Sequence, residues 1–334
     1  MNNEEFNEIG LSQFIDVCRR RGHIDQALPS LRAAENASVH GRNDPAALSF
    51  CQGLYEYHCG QCNAALLALN RARGHSLWGQ KAIRLMLDLC LNNDSAALDL
   101  SDIDNQYEVE DTELMALHTA AKLIQELKAV EEDSMQTHSV YPNLYLIATR
   151  QKFNIERALL ELSALAGKNP LNDNPAVVFG IATAQLLTKQ NQKAKTQLKR
   201  VVKSTWTLEE GDYLEKCWLL LADIYIQAGR FEVANELLRR VVTYNRSCAK
   251  AFEYLGLILE KEQSFKEAAV NFENAWRITN RNSVDVGMKL AHNYLKAKQY
   301  PEAIDVSQTV LDNCPDHPRM RKDVFDKAIA NLRS

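Results

Sequence analysis

Three related stretches decide the fold: WLLLADIYIQAGRFEVA (residues 218–234), FEYLGLILEKEQSFKEA (252–268) and GMKLAHNYLKAKQYPEA (287–303). In each stretch a leucine precedes an alanine or a glycine, and an alanine closes the pattern. The spacing is 34 and then 35 residues both for the leucines and for the closing alanines: Leu221, Leu255, Leu290 and Ala234, Ala268, Ala303. One structural unit is therefore repeated between Glu215 and Pro315.

A period of about 34 residues with this arrangement is typical of tetratricopeptide repeats (TPRs), whose unit is a pair of antiparallel helices. Small residues at Ala222, Gly256 and Ala291 allow the two helices of a pair to approach closely. We therefore predict an all-α protein, namely a TPR-type α-solenoid of antiparallel helix pairs that ends in a capping helix.

When the same period is applied to the rest of the chain, it predicts further helix pairs separated by two loops. The predicted segments are TPR-like helix pairs (1–91), an acidic loop (92–111), further TPR-like helix pairs (112–203), an inter-repeat loop (204–214), three regular TPRs (215–315) and a terminal helix (316–334). One helix of the second group is expected from Tyr141 to Gln151. The terminal helix should cover the last repeat with apolar residues at four-residue spacing, Met320, Val324, Ala328 and Leu332.

Composition is typical of an ordered, soluble protein and favours a protein or peptide partner. The chain of 334 residues is 46% hydrophobic and 25% charged, with a net charge of −4. This balance offers no electrostatic case for nucleic acid, and no apolar run approaches the roughly 18 residues that cross a bilayer. We expect protein partners, no nucleic acid and no direct membrane insertion. The acidic start, Met1-Asn-Asn-Glu-Glu, is unlike a signal peptide, so we expect a cytosolic chain with reduced cysteines.

Motifs that carry catalysis are absent from the sequence. It contains no Gly-x-x-x-x-Gly-Lys loop, no Gly-x-Gly-x-x-Gly, no His-Glu-x-x-His and no Gly-x-Ser-x-Gly. We predict that the chain is not an enzyme, and we assign no catalytic, cofactor-binding or metal-ligating residue.

One cysteine motif, His58-Cys59-Gly-Gln-Cys62, is open to three interpretations. Its Cys-x-x-Cys spacing suits redox exchange or half of a zinc site. Redox motifs follow a strand, however, and zinc requires a second ligand pair. Because the motif falls on the turn of a helix pair, we favour reduced structural cysteines.

Two observations indicate which partner surfaces the chain could bind. A basic cluster is predicted on one helix, at Lys193, Lys195, Lys199, Arg200 and Lys203. It is either a solvated face or a surface for an acidic partner. Co-chaperone TPRs hold acidic peptide tails with Lys and Asn clamps. The comparable positions here are Leu219 and Asp223, which argues against such a clamp.

Residues between the packing positions resemble a particular family. The matching stretches are Trp78-Gly-Gln-Lys-Ala-Ile83, Gln197-Leu-Lys-Arg-Val201, Trp218 to Gln227, Asn245-Arg-Ser-Cys-Ala-Lys250, Leu290 to Lys298 and Arg321-Lys-Asp323. They are similar to the C-terminal part of the tetratricopeptide repeat protein twenty-one family, the large TPR subunit of intraflagellar transport complex A.

This resemblance implies a non-enzymatic scaffold that supports retrograde ciliary transport, cilium assembly and ciliary entry of membrane cargo. It implies contacts with other complex A subunits and cargo adaptors, and a location in the axoneme, the basal body and the cytoplasm. If the chain is a portion of a longer array, the face of Phe6, Ile9, Leu11 and Phe14 should be unusually apolar. The alternative is a free-standing peptide-binding adaptor or co-chaperone.

Overall fold

A computed structural model describes residues 8–39, 44–91, 112–130, 135–168, 174–315, 317 and 319–333. These residues form helices and no strand, which confirms the all-α class. The α-helices are α1 (Glu8–Arg21), α2 (Leu28–Val39), α3 (Pro45–His58), α4 (Cys62–Ala72), α5 (Gly79–Leu91), α6 (Thr112–Val130), α7 (Met135–Ala148), α8 (Lys152–Lys168), α9 (Pro175–Leu187), α10 (Asn191–Val201), α11 (Gly211–Gln227), α12 (Phe231–Tyr244), α13 (Ala249–Lys261), α14 (Phe265–Ile278), α15 (Val284–Lys296), α16 (Tyr300–Asn313) and α17 (Asp326–Arg333). The segment 92–111, predicted to be an acidic loop, lies outside the described residues.

The helices form two compact units. Unit 1 contains the described residues of 1–19 and 23–217, and unit 2 contains those of 20–22 and 218–334. Within each unit, a helix packs on its neighbours along the chain, as α3 does on α4 and α14 does on α13 and α15. This is the neighbour-to-neighbour packing of a solenoid.

A left-handed residue recurs at the turn inside the helix pairs. Positive φ values occur at these turns in Gly22, Gly60, Arg150, Lys189, Gly229, Gln263 and Lys298. After Gln263, the backbone amide of Ser264 donates to Leu259 O at 2.9 Å. This hydrogen bond spans six residues and is typical of a Schellman cap. The same bond forms after Gly229, where Arg230 N donates to Tyr225 O at 2.8 Å. The turn therefore caps the first helix of the pair and directs the chain into the second.

Small residues hold the helices of the regular repeats together, as predicted. Ala222, Ala268 and Ala303 are fully buried. A Cβ atom on Gly256 would lie 3.0 Å from the ring of Phe272, so α13 approaches α14 more closely than an alanine would comfortably allow. These residues build the core of unit 2.

Two predicted boundaries are wrong. The helix expected at 141–151 is α7, Met135–Ala148, which contains Pro142 in its interior. Burial of the neighbouring Tyr141 and Val140 outweighs the cost of the proline, since packing overrides local preference. The inter-repeat loop expected at 204–214 ends earlier, because α11 begins at Gly211.

The terminal segment combines two kinds of helix. A π-helical turn at Met320–Phe325 leads into α17. Met320, Val324 and Ala328 are fully buried in the core cluster of the last repeat, which confirms the capping face. Leu332 is 55% exposed, so the prediction is wrong for this residue. The π turn shifts the helical register, and the four-residue spacing does not carry Leu332 to the core.

The apolar face expected at the start of the chain is partly formed. Leu11 is buried, whereas Ile9 and Phe14 are exposed by 55% and 41%. Phe6 lies outside the described residues.

Candidate protein-binding surfaces

The first helices of the repeats in unit 2 carry a ladder of paired polar side chains. We define the first-helix ladder as Asp223, Lys250, Glu253, Glu260, Lys289 and Asn293, which lie on α11, α13 and α15. Lys289 pairs with Glu253 of the preceding repeat, and Asn293 Nδ2 donates to Glu260 Oε2 at 3.1 Å. Lys250 also contacts Glu253, at 3.0 Å. The ladder joins α13 to α15 by polar contacts.

The lysines of the first-helix ladder act on the pKa values of its carboxylates. Burial raises the pKa of Glu253, but hydrogen bonds from Lys289 and Lys250 outweigh it and hold the pKa below its usual value. Burial also raises the pKa of Asp223, against the opposing effects of Lys250 and of hydrogen bonds from Tyr254 and Gln227. Both lysines are already engaged with carboxylates of the chain. The ladder is therefore poorly suited to clamp an acidic peptide tail.

A second polar group lies inside unit 1. We define the unit 1 charge cluster as Asp16, Arg19, Asp88, Asp212 and Lys216, which come from α1, α5 and α11. Arg19 pairs with Asp16 and donates to Asp212 at 3.1 Å, across 193 residues of sequence. Lys216 Nζ lies 3.9 Å from Asp88. Distant helices of unit 1 thus meet through charged groups.

Arg19 remains charged in this cluster. Its burial would lower the pKa, but Asp212 and Asp16 raise it above the usual value. Burial raises the pKa of Asp88, with Lys216 acting in the opposite direction. The evident role of the cluster is to join α1 to α11.

The inter-repeat loop is anchored at the start of α11. Trp206 Nε1 donates to Glu215 Oε1 at 3.1 Å, and Glu215 is only 4% exposed. A Cβ atom on Gly211 would lie 2.7 Å from the indole, so glycine is required for this contact. This anchor is not predicted from the sequence, because Trp206 and Glu215 are nine residues apart in a segment without a repeat pattern.

The cysteine motif joins α3 to α4. Cys59 follows the last residue of α3 and Cys62 begins α4. Burial raises the pKa of both thiols, which disfavours the thiolates that redox exchange and zinc binding require. Within the described residues, no group of three or more His, Cys, Asp and Glu side chains could hold a metal ion.

The basic residues predicted on one helix lie on α10 and directly after it. Lys193, Lys199, Arg200 and Lys203 are exposed, and Lys195 is half-buried. The sequence of α10, NQKAKTQLKRV, contains no acidic residue. The interpretation of this face as a surface for an acidic partner stays a prediction. No described helix is long and apolar enough to span a bilayer.

Grooves lie between successive second helices of the repeats in unit 2. One is bordered by α12 and α14 above α13, with a volume of about 390 Å³. Another is bordered by α14 and α16 above α15, with a volume of about 420 Å³. Paired helices and short capped turns define the class of helical-repeat scaffold proteins, which work through protein contacts.

Comparison with known proteins identifies the family. Residues 119–329 match the family described as the tetratricopeptide repeat protein 21 C-terminal ARM domain, and residues 3–91 match the TT21 fifth ARM repeats domain. The chain belongs to the tetratricopeptide repeat protein 21 family, as the resemblance implied.

Two curated relatives agree with this assignment. Tetratricopeptide repeat protein 21B of Homo sapiens is 40% identical over 331 residues, which cover 97% of this chain and 25% of the relative. The homologue of Caenorhabditis elegans is 34% identical over 328 residues, with the same coverage. The chain thus spans about a quarter of the length of these relatives. The TPR protein YrrB has a TM-score of 0.43 and 16% identity, covering 64% of this chain and 98% of its own.

Proposed function

We propose that this chain acts as a non-enzymatic scaffold of intraflagellar transport complex A, supporting retrograde ciliary transport and ciliary entry of membrane cargo. The observation that carries the proposal is the similarity to tetratricopeptide repeat protein 21B of Homo sapiens, which extends over 97% of the chain. The helical-repeat fold supports it, because such stacks offer extended surfaces for partners. We place its action at the axoneme, the basal body and in the cytoplasm, through contacts with other complex A subunits and cargo adaptors.

The first-helix ladder weighs against the co-chaperone alternative. A clamp for an acidic tail needs cations that are available to the ligand, whereas Lys250 and Lys289 are engaged with Glu253. Contacts with partner subunits can use other surfaces of the stack, such as the basic face of α10.

Affinity purification from ciliated cells tests this proposal. A tagged chain should recover other complex A subunits, and binary pull-downs with single subunits should identify direct contacts. Recovery of heat-shock proteins without transport subunits would instead support the co-chaperone alternative.

A charge-reversal variant sharpens the test of the basic face. If α10 contacts an acidic subunit surface, Lys199→Glu combined with Lys193→Glu should weaken that binary contact and its salt dependence. Lys261→Glu, an exposed reversal at the end of α13, is the matched control. Equal loss in both variants would exclude a specific role for α10.

A further inference from the structure

Helix α10 carries positive charge that no residue of the same helix balances. Its sequence, NQKAKTQLKRV, has four basic residues and no acidic one, and Lys203 follows two residues after its end. On α8, in contrast, Arg157 pairs with Glu161 one helical turn away, at 2.9 Å. Lys193, Lys199 and Lys203 are exposed. The basic face of α10 therefore depends on negative charge from another part of the protein or from a partner.

The segment 92–111, which lies outside the described residues, has the opposite charge. It contains no basic residue and seven acidic ones, namely Asp94, Asp99, Asp102, Asp104, Glu108, Glu110 and Asp111. The whole chain has a net charge of −4, so the rest of the chain is net positive. The segment connects α5 to α6 in unit 1, the unit that also contains α10. Complementary charges thus belong to one compact unit.

The end of α5, where the segment begins, lies close to the pair formed by α9 and α10. Asp88, four residues before Asn92, has its Oδ1 atom 3.9 Å from Lys216 Nζ. The same Nζ atom lies 5.8 Å from the ring centroid of Phe179 in α9. The Asp88 carboxylate and the Phe179 ring are therefore within about 10 Å of each other. Helix α10 packs directly on α9.

The basic face of α10 is within reach of the segment. Because α9 and α10 are antiparallel, Phe179, eight residues before the end of α9, lies level with Lys199, eight residues after the start of α10. Packed helix axes are about 8–10 Å apart, which places Lys199 roughly 20–25 Å from Asp88. Ten extended residues span about 33–36 Å. The segment can therefore extend to α10 and return to Thr112, where α6 begins and packs on α5.

We propose that the segment 92–111 docks on the basic face of α10 in the free chain, with its carboxylates against Lys193, Lys199 and Lys203. Each exposed ion pair is weak, so docking requires several of them at once. The covalent connection compensates for this weakness, because it holds the segment at an effective concentration on the order of 1 mM. An acidic surface of a partner protein competes with the segment for the same face.

A peptide competition experiment tests whether the face is already occupied. In one variant, residues 93–110 are replaced by a Gly-Ser linker of equal length, and circular dichroism verifies that it is folded. A fluorescein-labelled peptide of residues 92–111 should bind this linker variant in a fluorescence anisotropy titration. The intact chain should bind the peptide about tenfold more weakly, because its own segment competes. Binding should disappear in 1 M NaCl, where the Debye length is about 3 Å.

Charge reversals locate the docking face. In the linker variant, Lys193→Glu combined with Lys199→Glu should weaken peptide binding about tenfold or more, because attraction becomes repulsion at two positions. The matched control is Lys261→Glu combined with Lys266→Glu, which reverses two exposed lysines of unit 2. This control should leave the dissociation constant within about twofold.

Carbodiimide cross-linking of the unmodified chain tests the contact without any variant. This reagent joins a carboxylate directly to an amine in contact with it, and mass spectrometry identifies the linked residues. We expect links from the segment 92–111 to Lys193, Lys199 or Lys203, and their loss in 1 M NaCl. Links from these lysines only to the other acidic run, Glu131-Glu-Asp133, would overturn the proposal.

Three further outcomes would overturn it: equal peptide binding by the intact chain and the linker variant, no binding by either, or equal losses in the two charge-reversal variants. These experiments use the purified chain and contain no transport subunit. Copurification of transport subunits is measured separately, so neither result decides the other.

Discussion

A single methyl group added at Gly287 should measurably destabilise unit 2. Gly287 lies in α15, where a Cβ atom would be 2.5 Å from Val310 Cγ2 and 2.6 Å from Trp276 Cζ3. Non-bonded carbon atoms prefer separations of about 3.5–4.0 Å, so the new methyl would overlap each neighbour by about 1 Å. Val310 is fully buried and Trp276 is 4% exposed, so both side chains are confined by the core of unit 2.

Two opposing effects determine the net cost of Gly287→Ala. Overpacking of a core costs about 1–3 kcal/mol, and the rigid neighbours place this site towards the upper end. Alanine regains about 1 kcal/mol in a helix interior relative to glycine. The free energy of unfolding should therefore fall by about 1–2 kcal/mol. With an unfolding entropy of about 2.1 cal/mol/K per residue, this corresponds to a loss of about 1.5–3 °C in Tm for a chain of 334 residues.

Thermal unfolding followed by far-UV circular dichroism measures this change. Gly256→Ala is the matched control, because its Cβ atom would lie 3.0 Å from the ring of Phe272 and the smaller strain is offset by helix propensity. We expect Gly256→Ala to lie within about 0.5 kcal/mol of the wild type. The steric reasoning fails if Gly287→Ala melts at or above the wild-type temperature, or if Gly256→Ala is the less stable of the two.

Further predictions concern the charge cluster, the turns and the ladder. Arg19→Met should lower the free energy of unfolding in urea by about 3 kcal/mol, because the Arg19 side chain is only 12% exposed. Asp212→Asn should lower it by less than about 1 kcal/mol, because the Asp212 side chain is 57% exposed. Equal effects of the two variants would contradict this. Lys298→Gly should stabilise by about 0.5–1 kcal/mol, since φ is 61° there, and Lys298→Ala should give no gain in the same assay. The lowered pKa of Glu253 stabilises the fold above its unfolded pKa, near 4.5, and this contribution is lost as pH falls through the folded pKa. Glu253→Gln should therefore destabilise at pH 7 and flatten the loss of stability below pH 4.5; an unchanged acid profile would refute this.

The charge cluster shows how unit 1 departs from a simple stack. In a solenoid, each repeat is expected to contact only its neighbours. Arg19 and Asp212 instead join helices that are 193 residues apart in sequence. A variant in α1 should therefore affect α11 directly, and a double-mutant cycle between Arg19 and Asp212 measures that coupling.

The residues that recur most regularly in the sequence are those whose burial the sequence predicts correctly. Leu221, Leu290, Ala234 and Ala303 were expected in the core and are buried there. The grooves of unit 2 are not predicted from the sequence, because their lining residues are ordinary residues of helical surfaces. The grooves form where successive helix pairs pack together, and that information is absent from the spacing of residues.

By itself, the sequence determined the helix pairs, their period and the packing positions, since all three follow from contacts between residues close in the chain. Tertiary structure decided the rest. Lys189 and Gln263 adopt the left-handed conformation that glycine provides at Gly229, because the closing hydrogen bonds of the turn offset its cost. Arg19 and Asp212 are 193 residues apart in sequence, and no local pattern records that they meet.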